Sequence, residues 1–144
     1  MSKIVVGVDG SSQSAKALRW AVDYAKPTDT IVAAHAWQLP VMETDGVPAY
    51  RIDDVETKAK KLAEDVVATV VRDGGEGPRV ETLVENGHSG RVLIDASDDA
   101  DLLVVGSRGR GGFVGLLLGS VSTYVVHHAR CPVVVLPDRD KDDD

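Results

Sequence analysis

The chain has 144 residues, 43% of them apolar, and a formal net charge of −7. That length fits one ordinary domain with a core that closes without covalent staples, and the composition excludes a disordered chain. The acidic balance argues against a surface built for nucleic acid or an anionic membrane. Cys131 is the single cysteine, so no internal disulfide framework exists; within "ARCPVVVL" it reads as a small apolar packing group. No apolar stretch approaches the ~18 residues of a membrane span. "MSKIVVGVDGS" runs directly into a strand pattern, without the charged start and long apolar segment of a signal peptide. The setting these features suggest is the cytoplasm.

"KIVVGVD", Lys3 to Asp9, is a β-branched run that predicts a strand buried on both faces. In "SSQSAKALRWAVDYAK", Ala15, Leu18, Ala21, Val22 and Ala25 share one helical face, Ser11 or Ser12 serves as cap, and Pro27 follows the end. "TIVAAHAW", Thr30 to Trp37, is a second strand. Gln38 to Ile52 has no period and carries Pro40, Gly46 and Pro48, so it reads as a long loop with a task of its own, a lid or a partner contact. Asp53 to Asp73 is a long helix with an apolar stripe of Val55, Ala59, Leu62, Ala63, Val66, Val67 and Val70.

"RVETLVEN" alternates as a half-exposed strand does. "HSGRVLIDASDD" is a short helix, "ADLLVVGS" the most apolar strand, and Gly119 to His128 the last helix. "CPVVVLP" closes the series, with Pro132 and Pro137 at its borders marking an edge strand. Strands that alternate with helices imply a parallel sheet joined by right-handed crossovers, an α/β fold with helices on both faces. The domain runs over 1–137, and the acid-rich residues 138–144 read as a solvated tail.

Ligands of open α/β sheets sit beyond the carboxyl ends of the strands, where strand order reverses. In this chain that crevice receives Asp9, Gly10 and Ser11, then Ala36 and Trp37, then Gly106 onward. The stretch "VVGSRGRGGFVGLLLGSVS" places Gly106, Gly109 and Gly119-Ser120 in the spacing G-x2-G-x9-G-S. Glycine admits close backbone approach to a ligand, and the last pair opens a helix whose N-terminus favours an anion. Arg108 and Arg110 lie within reach of phosphate oxygens, and Ser120 and Ser122 add hydroxyl donors.

Other chemistry is poorly supplied. There is no G-x4-G-K-[ST] loop and no G-x-S-x-G elbow, and Gly109, Gly111 and Gly112 are not followed at once by a helix, as a dinucleotide fingerprint requires. Asp9 suits either a ribose contact or a helix cap. His35 reads as a satisfied histidine of the core, and Trp20 and Trp37 as core or crevice lining. His127 and His128, in the last turn of a helix, complement its dipole rather than pair on a metal.

The chain resembles the universal stress proteins, in their ATP-binding branch. The resemblance rests on "KIVVGVDGSSQSAKALRWA", "VAAHAW", "DLLVVGSRGRGGFVGLLLGSVS" and "CPVVVLP", and spans about residues 2 to 137. It implies a five-stranded parallel sheet of order 3-2-1-4-5, of the adenine nucleotide alpha hydrolase-like kind, and a homodimer paired through the last strand. It implies ATP with Mg²⁺ or Mn²⁺ as ligand. Asp9 would touch the ribose, Ala36 the adenine through its backbone, and Val105 and Gly106 the nucleoside. Gly109, Gly119, Ser120 and Val121 would wrap the phosphates, with Arg108 beside them. The implied function is that of a nucleotide-binding stress-response regulator; the alternative is a slow ATPase or adenylyl-transferring enzyme on the same architecture.

Overall fold

The structure is a computed structural model that describes residues 1–39, 52–71, 77–108 and 118–138. Five strands alternate with four helices: β1 (Lys3–Gly7), α1 (Ser12–Tyr24), β2 (Thr30–Trp37), α2 (Ile52–Val70), β3 (Arg79–Asn86), α3 (Ser89–Ala96), β4 (Leu102–Gly106), α4 (Ser120–His128) and β5 (Val133–Leu136). They form one five-stranded sheet of order β3-β2-β1-β4-β5, parallel at every pairing.

The centre of the sheet explains its own sequence. Ile4 and Val6 of β1 enter a core shared with α1 and α2, whereas Val5 enters a second core shared with α3 and α4. A strand covered on both faces has no polar face to alternate with, hence the unbroken "KIVVG". β3, at one edge, has no buried residue: Val80, Leu83 and Val84 are half-buried and the other five are exposed, so the strict alternation expected of it is not kept. β5, at the other edge, leaves all four residues half-buried, as its flanking prolines predict.

Helix α1 lies close to the sheet because Ala17 and Ala21, both fully buried, present only methyl groups beside Leu18. The sequence stripe anticipated Leu18 and Ala21, while Ala17 is an addition. In α2, Ala59, Ala63 and Val66 of the anticipated stripe are buried. Trp20 stacks on Tyr24 with ring centroids 4.9 Å apart, on the outer side of the first core. Cys131 is half-buried against the second core, and burial pushes its thiol above the ordinary value.

Two of the strands stop short of the expected bounds. The first ends at Gly7 rather than Asp9, because the chain turns at Gly10 with φ +85° and Ser11 caps α1. The fourth ends at Gly106, where the Ser107 N–H donates to the Leu136 carbonyl at 2.8 Å before the chain leaves the sheet. The third helix begins at Ser89, with His88 as its cap. Most of the expected 38–52 loop, and the tail beyond Asp138, lie outside the described residues; the Asp138 carboxylate itself accepts a hydrogen bond from Gln13. Among the described residues no helix is long and apolar enough to cross a membrane.

Candidate functional site

A cleft of about 830 Å³ opens beyond the carboxyl ends of β1, β2 and β4. Its place follows from topology: β1 connects to β2 on one side, while β4 lies on the other, so the connections diverge above β1. The floor is Gly7 and Leu93. A Cβ at Gly7 would sit 2.9 Å from Leu93 Cδ1, so glycine is what lets α3 press its leucine against the end of β1.

The first wall is the turn after β1. The Asp9 Oδ1 accepts the Ser11 N–H at 2.9 Å, and the Asp9 N–H donates to Ser14 Oγ at 3.2 Å. Ser14 in turn donates its amide to Ser11 Oγ at 3.1 Å and its hydroxyl to the Ser11 carbonyl at 2.9 Å. These bonds fix the Asp-Gly-Ser-Ser turn and hold the Asp9 carboxylate at the cleft rim. Asp9 thus braces the turn, while Ser11 is the cap of α1.

The second wall joins β4 to α4. The Ser107 carbonyl accepts the Gly119 N–H at 2.6 Å and the Ser122 hydroxyl at 2.8 Å. The two roots of the glycine-rich segment are therefore pinned together at the cleft. This arrangement corrects one expectation: Ser122 is 3% exposed and spends its hydroxyl on the carbonyls of Ser107 and Gly119, so it does not serve as a ligand donor. Ser120 is exposed and Val121 half-buried at the same helix start.

Three helix N-termini open on the cleft: Ser11 and Ser14 of α1, Ser89 of α3, and Gly119 with Ser120 of α4. Each presents first-turn amides that lack an intrahelical acceptor and carry partial positive charge. At α1 the Ser11 side chain accepts the Ser14 amide, and at α3 His88 Nδ1 accepts the Arg91 amide at 3.4 Å. At α4 the cap is Gly119, with φ −76° and ψ 176° and no side-chain cap. Among the described residues, then, the first-turn amides of α4 receive no acceptor from the cap side chain, unlike those of α1 and α3.

Of the expected site residues, Asp9, Ala36, Val105, Gly106, Arg108, Gly119, Ser120 and Val121 all line this one cleft. Gly109 and Arg110 lie outside the described residues. Trp37 ends β2 away from the cleft lining. His35, expected in the core, is half-buried at the cleft, with Nδ1 2.9 Å from the Val8 carbonyl. Sequence reasoning missed the face of α4 formed by Thr123, Tyr124, His127 and His128, which also lines the cleft. Their three- and four-residue spacing from Ser120 was the available signal. Among the described residues no three His, Cys, Asp or Glu side chains gather as a metal site.

Compared with known proteins, residues 1–137 match the universal stress protein family. The universal stress protein YxiE of Bacillus subtilis is 32% identical over 145 residues, covering 94% of this chain and 98% of the relative. The universal stress protein Rv2623 of Mycobacterium tuberculosis is 38% identical over 139 residues, covering 92% of this chain but 44% of the relative. The chain thus spans about half the length of the mycobacterial relatives it matches. Among solved structures, the universal stress protein UspA of Lactobacillus plantarum superposes with a TM-score of 0.78 at 25% identity, over 94% of this chain and 97% of that one. A universal stress protein solved in complex with cAMP superposes with a TM-score of 0.56 at 26% identity, over 96% and 98%. Sequence, fold and the placement of the cleft agree: the chain belongs to the universal stress protein family.

Proposed function

We propose that this protein binds ATP, with Mg²⁺ or Mn²⁺ on its phosphates, and acts as a nucleotide-binding regulator of a stress response in the cytoplasm. The observation that carries the reading is the uncapped N-terminus of α4 at the rim of the cleft. Amides there suit phosphate oxygens, and each charge-assisted bond they make is worth about 1.5–3 kcal/mol. Arg108 lies beside them in the same wall. With the phosphates along Gly119, Ser120 and Val121, and Gly109 of the same G-x2-G-x9-G-S spacing, the nucleoside would lie on Val105 and Gly106, the ribose near Asp9 and the base across β1 at Ala36. The related protein in complex with cAMP supports an adenine ligand.

The role is proposed as binding rather than catalysis, with ATP hydrolysis at most slow. The carboxylate of the cleft, Asp9, already braces its own turn. A base for water attack needs freedom to face the γ-phosphate. The half-buried apolar edge strand β5 is proposed as the surface on which two copies pair into a homodimer. Calorimetric titration of the purified chain with Mg-ATP tests the central reading. Saturable heat with one nucleotide per chain supports it, and a flat trace at millimolar nucleotide overturns it.

A further inference from the structure

We infer that the cleft takes a second base beyond the phosphates, so that its fuller ligand is a dinucleoside polyphosphate, two nucleosides joined through their 5′ oxygens by a phosphate chain. The inference rests on the nucleotide reading above and extends it along α4.

The cleft does not end at the phosphate donors. Its volume of about 830 Å³ lies toward the upper end of the roughly 300–1,000 Å³ of small-molecule sites. From Ser120 its wall continues along α4 through Thr123, Tyr124, His127 and His128. Steps of three and four residues keep these side chains on one side of the helix. At a rise of about 1.5 Å per residue, Tyr124 lies about 6 Å and His128 about 12 Å along the axis from Ser120. In the other direction, Ala36 on β2 is two strand spacings from β4, roughly 10 Å. The donors at α4 thus stand near the middle of the cleft, with wall on both sides of them.

The composition of that further wall selects the group it receives. Residues 120–128 contain no lysine, arginine or carboxylate. The pull of a helix terminus on an anion falls off within the first turn, so a phosphate chain gains little by running on to His128. Rings are what this wall supplies. Tyr124 packs against Gly90 of α3, and its ring centroid lies 5.4 Å from that of His88 and 4.4 Å from that of His128. Held from both sides, Tyr124 is half-buried, whereas His128 is exposed and lines the cleft. The three rings make a shelf backed by α3. Every base has a π-face, and such a shelf receives one without a matching set of donors. A mononucleotide leaves the shelf to water, and a second nucleoside covers it.

The test compares two magnesium complexes on the full chain by calorimetry. Diadenosine tetraphosphate carries the second base, and adenosine tetraphosphate has the same number of phosphates without it. The expected result is one diadenosine tetraphosphate per chain, bound about tenfold tighter, near the low end of what stacking one base is worth. His128→Ala removes the exposed ring of the shelf. It should bring diadenosine tetraphosphate down to the affinity of adenosine tetraphosphate, which is itself unchanged. A second measurement needs no variant: the ring-proton NMR signals of Tyr124 and His128 should move with diadenosine tetraphosphate and stay in place with adenosine tetraphosphate. Equal affinities, an advantage that survives in His128→Ala, ring signals that answer both compounds alike, or one diadenosine tetraphosphate shared by two chains overturns the inference while the nucleotide reading stands. So does a failure of diadenosine tetraphosphate to bind where Mg-ATP binds. If Mg-ATP also gives a flat trace, the nucleotide reading itself fails and this inference fails with it.

Discussion

Gly119→Asp sets stability and binding against each other at one atom group. Gly119 already has the extended dihedrals of a helix cap, φ −76° and ψ 176°, so an L-residue fits the backbone there without strain. An aspartate adds the missing acceptor for the first-turn amides of α4. Relative to glycine that gains a few tenths of a kcal/mol, and the carboxylate gains about 0.3–1 kcal/mol more against the helix dipole. The variant should therefore melt roughly 1–4 °C above the parent in the absence of ligand. The same carboxylate occupies the donors assigned to phosphate and repels it. Losing one such bond, about 1.5–3 kcal/mol, weakens Mg-ATP binding about 10- to 100-fold before repulsion is added. Gly119→Asn separates the two causes: it caps without charge, and should fall between parent and aspartate in affinity. Thermal melts without nucleotide and calorimetric titrations with it read both quantities. A Gly119→Asp protein that binds Mg-ATP as tightly as the parent would refute the assignment of phosphate to the α4 terminus.

Three other outcomes follow from the packing, the turns and the sheet edge. Gly90→Ala should destabilise by about 1–2 kcal/mol in urea titrations, because its Cβ would sit 2.5 Å from Tyr124 Cδ1 and 2.8 Å from Cγ. The tyrosine cannot swing aside between His88 and His128, whose ring centroids are 5.4 and 4.4 Å away. The double variant with Tyr124→Leu should recover part of the loss, and an unchanged Gly90→Ala midpoint would contradict the clash. Asp29 is held below its ordinary value of 3.8 by the backbone N–H groups of Lys26 and Ser2. The charged form is the one favoured by folding, so its contribution is present above that value and is lost as pH falls through the lowered one. The stability gap between parent and Asp29→Asn should close in melts below pH 3.8; a gap that persists in acid would point to another cause. Light scattering at micromolar concentration should return twice the monomer mass, and a monomer would sink the pairing through β5.

Much of this architecture could be read before any coordinates, and the reasons are local. β2 and β3 begin and end at the residues anticipated, because "TIVAAHAW" and "RVETLVEN" are bounded by abrupt changes of polarity. β1 and β4 were overdrawn at their carboxyl ends, where the next residues, Val8 and Ser107, still hydrogen-bond to neighbouring strands, at Ala34 and Leu136, before the chain turns away. The backbone-rich parts of the site were legible for the same reason that they are useful: glycine at a strand end and at a helix start has a local signature. Ser122 was misjudged because its direction depends on the Ser107 carbonyl, 15 residues earlier in the chain. His35 was misplaced because nothing in its own strand tells that β1 stops one residue below it. Tyr124, His127 and His128 share a helical face that sequence could display, but only the fold turns that face toward the cleft.

The central strand has a kinetic meaning too. β1 precedes the other strands of the sheet in the chain, yet one of its two neighbours is β4, and the Lys3 N–H reaches the Asp101 carboxylate 98 residues away. The cleft draws on both stretches, from Gly7 to Ser14 and from Val105 to His128. β1 can pair with β2 while the later elements are still absent, but the cleft does not exist until α4 has joined them. Contacts of such sequence separation close slowly, and a ligand that binds only the finished cleft adds stability to that state alone. A nucleotide bound as proposed would thus favour copies of the domain in which the β1 turn and α4 have already come together, and give nothing to those in which they have not.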